Sequence, residues 1–306
     1  MKVLITGGSG YLGSHLCKRF KKMGWVVGIL DLAAPEHQYY DIFYPTDIRN
    51  RDGVDTALRG RYDLVIHCAG RIEVGDSQKN PTEFWEVNVG GTAILLNAMK
   101  RHGVKKIMFS STAAVYKPSE QPLTEECEKA NNSVYGHTKL ACEAMLGDSG
   151  FQYGVFRYFN LAGADEDIGE NHQPETHLIP MILRNRDNVG IFGNDYDTPD
   201  GTCIRDYVHV LDVVDAHIAA LSQTESFVVN LGTGRGYSVM EIISELEKQL
   251  GVCIWHEILP RRDGDPARLV ADISKAKKLL GYEPKHDMDS ILKSAIAWES
   301  VCNKVE

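Results

Sequence analysis

The sequence predicts an α/β protein, a doubly wound parallel-sheet domain with a smaller mixed α/β lobe. Three observations carry this. From Lys2 to Ala164 short apolar runs alternate with amphipathic stretches, as strand and helix do in turn around a parallel sheet. The first apolar run stops at a glycine cluster that opens a helix, the junction at which parallel sheets hold their ligands. After Ala164 the alternation gives way to polar, turn-rich segments and then to two or three amphipathic helices. The spacing divides the chain into 1–163 plus 206–236 for the sheet domain and 164–205 plus 237–306 for the lobe.

Lys2 to Thr6 is the first strand, and GGSGYLG with SHLCKRFKKMG forms a turn and helix after it. Backbone N–H groups left free at that helix start, together with the helix dipole, favour an anionic group above them. Gly7, Gly10 and Gly13 let the turn close and let a pyrophosphate approach, with Tyr11 and Leu12 between them. WVVGILD is the second strand, and it ends at Asp31, 18 residues beyond Gly13. A carboxylate there accepts from a ribose 2′-OH and repels a 2′-phosphate, so strand, glycine turn, helix and acid together predict a dinucleotide site that prefers NAD over NADP. Asp47 and Ile48 close a short third strand near the expected adenine, Asp47 otherwise serving as a helix N-cap. RDGVDTAL is a helix, and Tyr62 to Gly70 is a buried strand ending in the small residues Cys68, Ala69 and Gly70. His67 inside it reads as a packed residue.

NPTEFWEVNVGGTAILLNAMKRHG has the spacing of one long helix with Pro81 in its first turn. Asn88, Gly90 and Gly91 in its middle are poor helix formers and point to a close approach by a cofactor or a neighbouring strand. Lys106 to Ser110 is the fifth strand and runs into Ser111 and Thr112. Phe151 to Ala164 is the sixth, and Phe227 to Leu231 reads as a further one.

The chemistry centres on SVYGHTKLACE, Ser133 to Glu143. Tyr135 and Lys139 are four residues apart and share one helix face. A phenol titrates near about 10, so it needs a fixed cation beside it to serve as a base at neutral pH. Thr112 arrives on the same sheet edge, placed to relay a proton between substrate and phenol.

At 306 residues, 43% hydrophobic and 25% charged, the composition is that of a soluble globular chain. A net charge of -9, with no Lys/Arg cluster large enough to offset it locally, argues against nucleic-acid or membrane partners. Seven scattered cysteines without a C-x-x-C pair predict reduced thiols in a cytoplasmic protein and no metal site. KVLITG begins directly as a strand, so no signal peptide is expected, and no apolar run reaches membrane-spanning length.

With GGSGYLGSH, Asp31, Ala69–Gly70, SST, YGHTK and RYFN in place, the chain resembles the extended short-chain dehydrogenase/reductase family, whose sheet domain is of the Rossmann type. YFNLAGAD, HLIP, IFGNDYDTPDGTCIRDYVHV and RRDGDP narrow the resemblance to its UDP-hexose 4-epimerases. The resemblance implies a retained NAD that accepts a hydride from sugar C4 and returns it to the other face of a transient 4-keto sugar. It gives Tyr135 the 4-OH proton, Thr112 the Ser/Thr position and Lys139 the nicotinamide ribose. Asn88, Ser110 and Tyr158 join the cofactor set. A UDP-sugar is the implied substrate, with Arg205 and Arg262 on the diphosphate, Phe192 at the uracil, and Asn160, His177, Leu178 and Asp265 also around it; apart from the resemblance, the arginines read as surface ion pairs with Asp206 or Asp265 and Phe192 as core. A homodimer through the helices Pro81 to His102 and Ser133 to Asp148 is implied in the same way.

Departures from the family pattern stand beside it. Ile72 replaces a lysine that follows the Ala-Gly strand end, Leu32 replaces an asparagine after Asp31, and only 15 residues separate Asp31 from Asp47. Leu269 occupies the position facing the sugar C2 substituent, where a tyrosine would restrict space, so N-acetylated UDP-hexosamines come within reach. A 4,6-dehydratase would need an acid/base pair where Ala113 and Ala114 stand, and an NADP-dependent 4-keto-sugar reductase would not carry Asp31. A non-catalytic dinucleotide sensor would have no use for the Tyr/Lys pair.

Overall fold

The elements follow one another as the apolar periodicity requires. The computed structural model describes residues 1–129, 133–171, 175–262 and 264–302. In chain order they are β1 Lys2–Thr6, α1 Tyr11–Lys22, β2 Val26–Asp31, β3 Ile42–Pro45, α2 Arg51–Leu58, β4 Leu64–His67, α3 Val74–Lys79, α4 Pro81–Phe84, α5 Gly91–His102, β5 Lys106–Thr112, α6 Val134–Asp148, β6 Gln152–Tyr158 and β7 Asn160–Ala162. There follow α7 Leu178–Arg184, β8 Val189–Phe192, β9 Ile204–His209, α8 Val210–Ala219, β10 Phe227–Leu231, β11 Gly236–Ser238, α9 Val239–Leu250, β12 His256–Leu259, β13 Arg268–Leu269, α10 Ser274–Leu280 and α11 Met288–Cys302.

Seven strands form the central sheet in the order β10-β6-β5-β4-β1-β2-β3. The pairs from β3 through β5 are parallel, with Val3 opposite both Val27 and Leu64. The strand order reverses between β1 and β4, so the crevice at their carboxyl ends is the ligand position of such a sheet. The chain divides into two compact units. The first comprises 1–116, 129–157 and 216–229, and the second 117–128, 158–215 and 230–306.

Each unit has its own core. In the first, Leu4, Leu30, Val65, Leu95, Met99, Ile107 and Val155 pack together, all fully or almost fully buried. In the second, Ile182, Val189, Ile191, Ile242, Leu246, Ile291 and Leu292 do the same. Burying such a side chain is worth roughly 1.5–3 kcal/mol against leaving it exposed.

Three expectations need correction. The long helix from Pro81 is interrupted by a π-helical stretch over Trp85–Gly90, so α4 and α5 are separate. The cause is tertiary. Asn88 is turned inward, its Oδ1 accepting from the Arg71 N–H at 2.8 Å and its Nδ2 donating to the Thr138 hydroxyl at 3.0 Å. Gly91 lies so close to Ile48 that a Cβ would fall 2.6 Å from the Ile48 side chain. Next, the sixth strand stops at Tyr158, and Asn160–Ala162 pairs instead with β9, Asn160 opposite Tyr207. Finally, the cap of α2 is Asn50, whose side chain accepts from the Asp52 and Gly53 amides, while Asp47 binds the backbone and guanidinium of Arg49.

Candidate active site

In the first unit the turn after β1 is built from close backbone contacts. Gly7 has φ +72°, and a Cβ on it would lie 2.7 Å from the Ala69 nitrogen, so the glycine turn and the end of β4 touch across the sheet reversal. A Cβ on Gly13 would come within 2.0 Å of the Gly7 carbonyl oxygen. No side chain caps α1 and no acid stands in its first turn, whereas Arg19, Lys21 and Lys22 occupy its last. The amides of Tyr11 and Leu12 therefore lie at the positive end of a helix dipole. Asp31 accepts from the Ser9 N–H at 3.0 Å, which fixes its carboxylate beside the turn. This cradle admits backbone-close pyrophosphate and a ribose hydroxyl, and so fits a dinucleotide. Ile48 is buried in the core, its side chain committed to packing. Around the other end, the Ser110 hydroxyl donates to Cys68 Sγ at 3.2 Å, and a Cβ on Gly70 would meet Asn88 Oδ1 at 2.9 Å and Lys139 Nζ at 3.6 Å.

Tyr135 and Lys139 are brought together on the inner face of α6, both buried. Ser133 caps this helix by accepting from the Gly136 N–H, and the Tyr135 N–H donates to the Ser77 hydroxyl at 3.2 Å. Lys139 Nζ donates to the Ser110 carbonyl at 2.9 Å and stands 5.9 Å from the Tyr135 ring centroid. Thr112 hydrogen-bonds the phenol, and its Oγ1 also accepts from the Ala114 N–H at 3.0 Å. The three predicted groups therefore form one constellation.

Its electrostatics differ from the expectation. Burial dominates and pushes the Tyr135 phenol up to about 12, the Thr112 hydrogen bond opposing this while Glu73 and Cys142 add to it. Burial likewise lowers the Lys139 ammonium, with Cys142, Cys68 and Glu143 acting the other way. A phenol so placed ionises near neutral pH only when further positive charge comes beside it.

Beneath the constellation lies a network that the linear sequence did not disclose. Ser111, next to Thr112, donates to Glu143 Oε1 at 2.5 Å. Arg157 holds the same carboxylate through Nε and Nη2 at 3.0 and 2.6 Å, and its Nη1 donates to the Tyr116 hydroxyl at 2.8 Å. Glu143 lies one turn beyond Lys139, and Arg157 interrupts the apolar run GVFRYF. Those two placements were the available signal. The pair is buried, with side-chain exposures of 4% and 9%. Arg157→Leu is expected to cost roughly 3–5 kcal/mol in denaturant unfolding, because it leaves the Glu143 charge buried and unpaired. A loss below about 1 kcal/mol would mean that water reaches the carboxylate freely.

The second unit carries the remaining candidates. Arg205 is buried, its Nη1 donating to the Ile204 and Pro266 carbonyls at 2.8 Å each and its Nη2 to Asp265 at 2.5 Å. Three of its five donors are thus used, which leaves two for an incoming anion. The Arg262 guanidinium stacks 3.9 Å from the Phe192 ring centroid, and Arg261 repeats this on Tyr196 at 4.1 Å while binding Asp195. Arg262, Phe192, Arg205 and Asp265 are therefore joined by stacking and pairing within neighbouring elements of one unit. Asn160 begins β7, Tyr158 is buried at the end of β6, and Leu269 is half-buried in β13 beside β9. Leu178 opens α7, and His177 just before it pairs with Glu170. Glu170 and Glu175 form the one potential metal-ligand group with His177 among the described residues, and Arg184 already neutralises Glu175 at 3.2 Å.

Comparison with known proteins agrees with this geometry. The sequence pattern of the NAD dependent epimerase/dehydratase family matches residues 3–232. The UDP-glucose 4-epimerase of Halalkalibacterium halodurans is 44% identical over 97% of this chain and 95% of its own. The crystal structure of UDP-glucose 4-epimerase from Bifidobacterium longum in complex with NAD+ and UDP superposes with a TM-score of 0.93 at 36% identity, covering 98% of each chain. The UDP-Glc/GlcNAc 4-epimerase of Campylobacter jejuni gives 0.83 at 38% identity, over 98% of this chain and 99% of that one. Whole-chain similarity of this extent, on a glycine cradle and a Thr/Tyr/Lys constellation, means that the chain belongs to the NAD dependent epimerase/dehydratase family.

Proposed function

We propose that this protein is an NAD-dependent isomerase that interconverts UDP-glucose and UDP-galactose. The observation that carries the reading is the meeting of Thr112, Tyr135 and Lys139 on the carboxyl edge of the sheet that bears the glycine cradle. When bound, the dinucleotide supplies reversible hydride acceptance at sugar C4, which makes a transient 4-keto sugar. Tyr135 takes the 4-OH proton and later returns it, with Thr112 aligning the hydroxyl. Lys139 has two ammonium donors beyond the one given to Ser110, and these hold the nicotinamide ribose. Arg205 and Arg262 take the UDP diphosphate and Phe192 the uracil. Asp31 beside the cradle favours NAD over NADP.

The reading extends to a cytoplasmic homodimer. Among the described residues, six free cysteines and the half-exposed Trp85 between α4 and α5 support it, and no helix is long and apolar enough to cross a membrane. To test the main reading, the purified protein is given UDP-galactose without added NAD and followed by proton NMR. Conversion to UDP-glucose is expected, together with NAD released on denaturation; conversion that requires added cofactor would refute a retained one.

Leu269 favours a second substrate class. A leucine there leaves room beside the sugar C2, so UDP-GlcNAc should epimerise too, and Leu269→Tyr should suppress that reaction more than the UDP-glucose one. UDP-GlcNAc left untouched while UDP-glucose reacts would remove this reading.

A further inference from the structure

The short segment after Asp31 lies across the glycine turn and is fastened to it at two points. The Ser9 hydroxyl donates to the Ala33 carbonyl at 2.8 Å, and His37 Nε2 lies 3.1 Å from the Gly8 carbonyl oxygen. The other ring nitrogen, Nδ1, accepts from the Tyr39 N–H at 3.1 Å. A carbonyl only accepts and an amide N–H only donates, so the two contacts require one form of the ring, neutral with its proton on Nε2. The Tyr39 ring stacks on the imidazole at 5.7 Å, and Lys18 of α1 stands over the far ring at 5.6 Å.

His37 therefore acts on a particular peptide unit, Gly8–Ser9. Its N–H donates to Asp31, and its carbonyl receives His37 together with the weaker donors Ser14 Oγ at 3.3 Å and Cys17 Sγ at 3.8 Å. This fixes the peptide at both ends, with the carbonyl drawn toward the His37 side and Asp31 held in place. We propose that His37 is a positioning residue of the dinucleotide site, one that locks the Gly8–Ser9 peptide opposite Asp31 and so slows release of NAD.

The test measures the rate at which NAD leaves the purified protein, by trapping released cofactor with no sugar present. His37→Ala should release NAD about tenfold faster than wild type, and His37→Gln, which keeps a side-chain N–H for the Gly8 carbonyl, should return the rate to within about threefold of it. Circular dichroism on both variants guards against misfolding. An Ala variant that releases NAD at the wild-type rate, or a Gln variant as fast as Ala, would overturn the proposal. The readout involves no UDP-sugar, so the proposal stands or falls apart from the reaction proposed above.

Discussion

Tyr135→Phe is expected to leave the fold and the bound cofactor intact while lowering turnover at least about a hundredfold, the scale of a lost general base. The substitution removes one oxygen from a ring that is already buried, and the helix start that carries it is held by Ser133 and Ser77, not by the phenol. The loss should appear in kcat, because the oxygen acts on the proton in flight more than on binding. Steady-state kinetics with UDP-galactose, beside absorbance of cofactor released on denaturation, separates the two effects. Near-normal turnover would mean that another group takes the 4-OH proton.

Lys139→Met should behave differently. Methionine has similar length and fills the space under the Phe109 ring, 4.9 Å from the lysine nitrogen, while removing a desolvated charge, so stability should hold or rise. Two functions disappear together: the charge that helps a phenol displaced upward to ionise, and the donors for the nicotinamide ribose. Turnover is expected to fall by about 10²–10⁴ and NAD to be lost during purification, whereas the Tyr135 variant retains it. A Lys139→Met protein that keeps its cofactor would restrict the lysine to electrostatics alone.

Much of this was legible in the residues because it is local. The run KVLITGGSG, the acid ending WVVGILD, and Ser133 three residues before Gly136 each specify strand, turn or cap through neighbours in sequence. What depends on distant contacts was not. The π-helical stretch at Trp85–Gly90 follows from Asn88 turning toward Arg71 and Thr138, and Asn160–Ala162 leaves the first sheet because β9 offers it a partner. The phenol was expected to be lowered by Lys139. Burial, which a linear pattern does not reveal, raises it instead, with the Thr112 hydrogen bond opposing. Arg205 and Asp265, 60 residues apart, are bonded to each other, a pairing that the sequence offered only as the plainer alternative to separate nucleotide contacts. His37 carried no motif at all, and its place over Gly8 depends on the shortness of the segment around it.

The central claim is that Tyr135, Lys139 and Thr112 serve a reaction in which hydrogen leaves sugar C4 and comes back to it on one retained cofactor. UDP-galactose deuterated at C4, converted in ordinary water and read by NMR, tests this most directly. The account predicts that the deuterium remains at C4 of the UDP-glucose formed. Deuterium replaced by solvent hydrogen, in step with conversion, would contradict it.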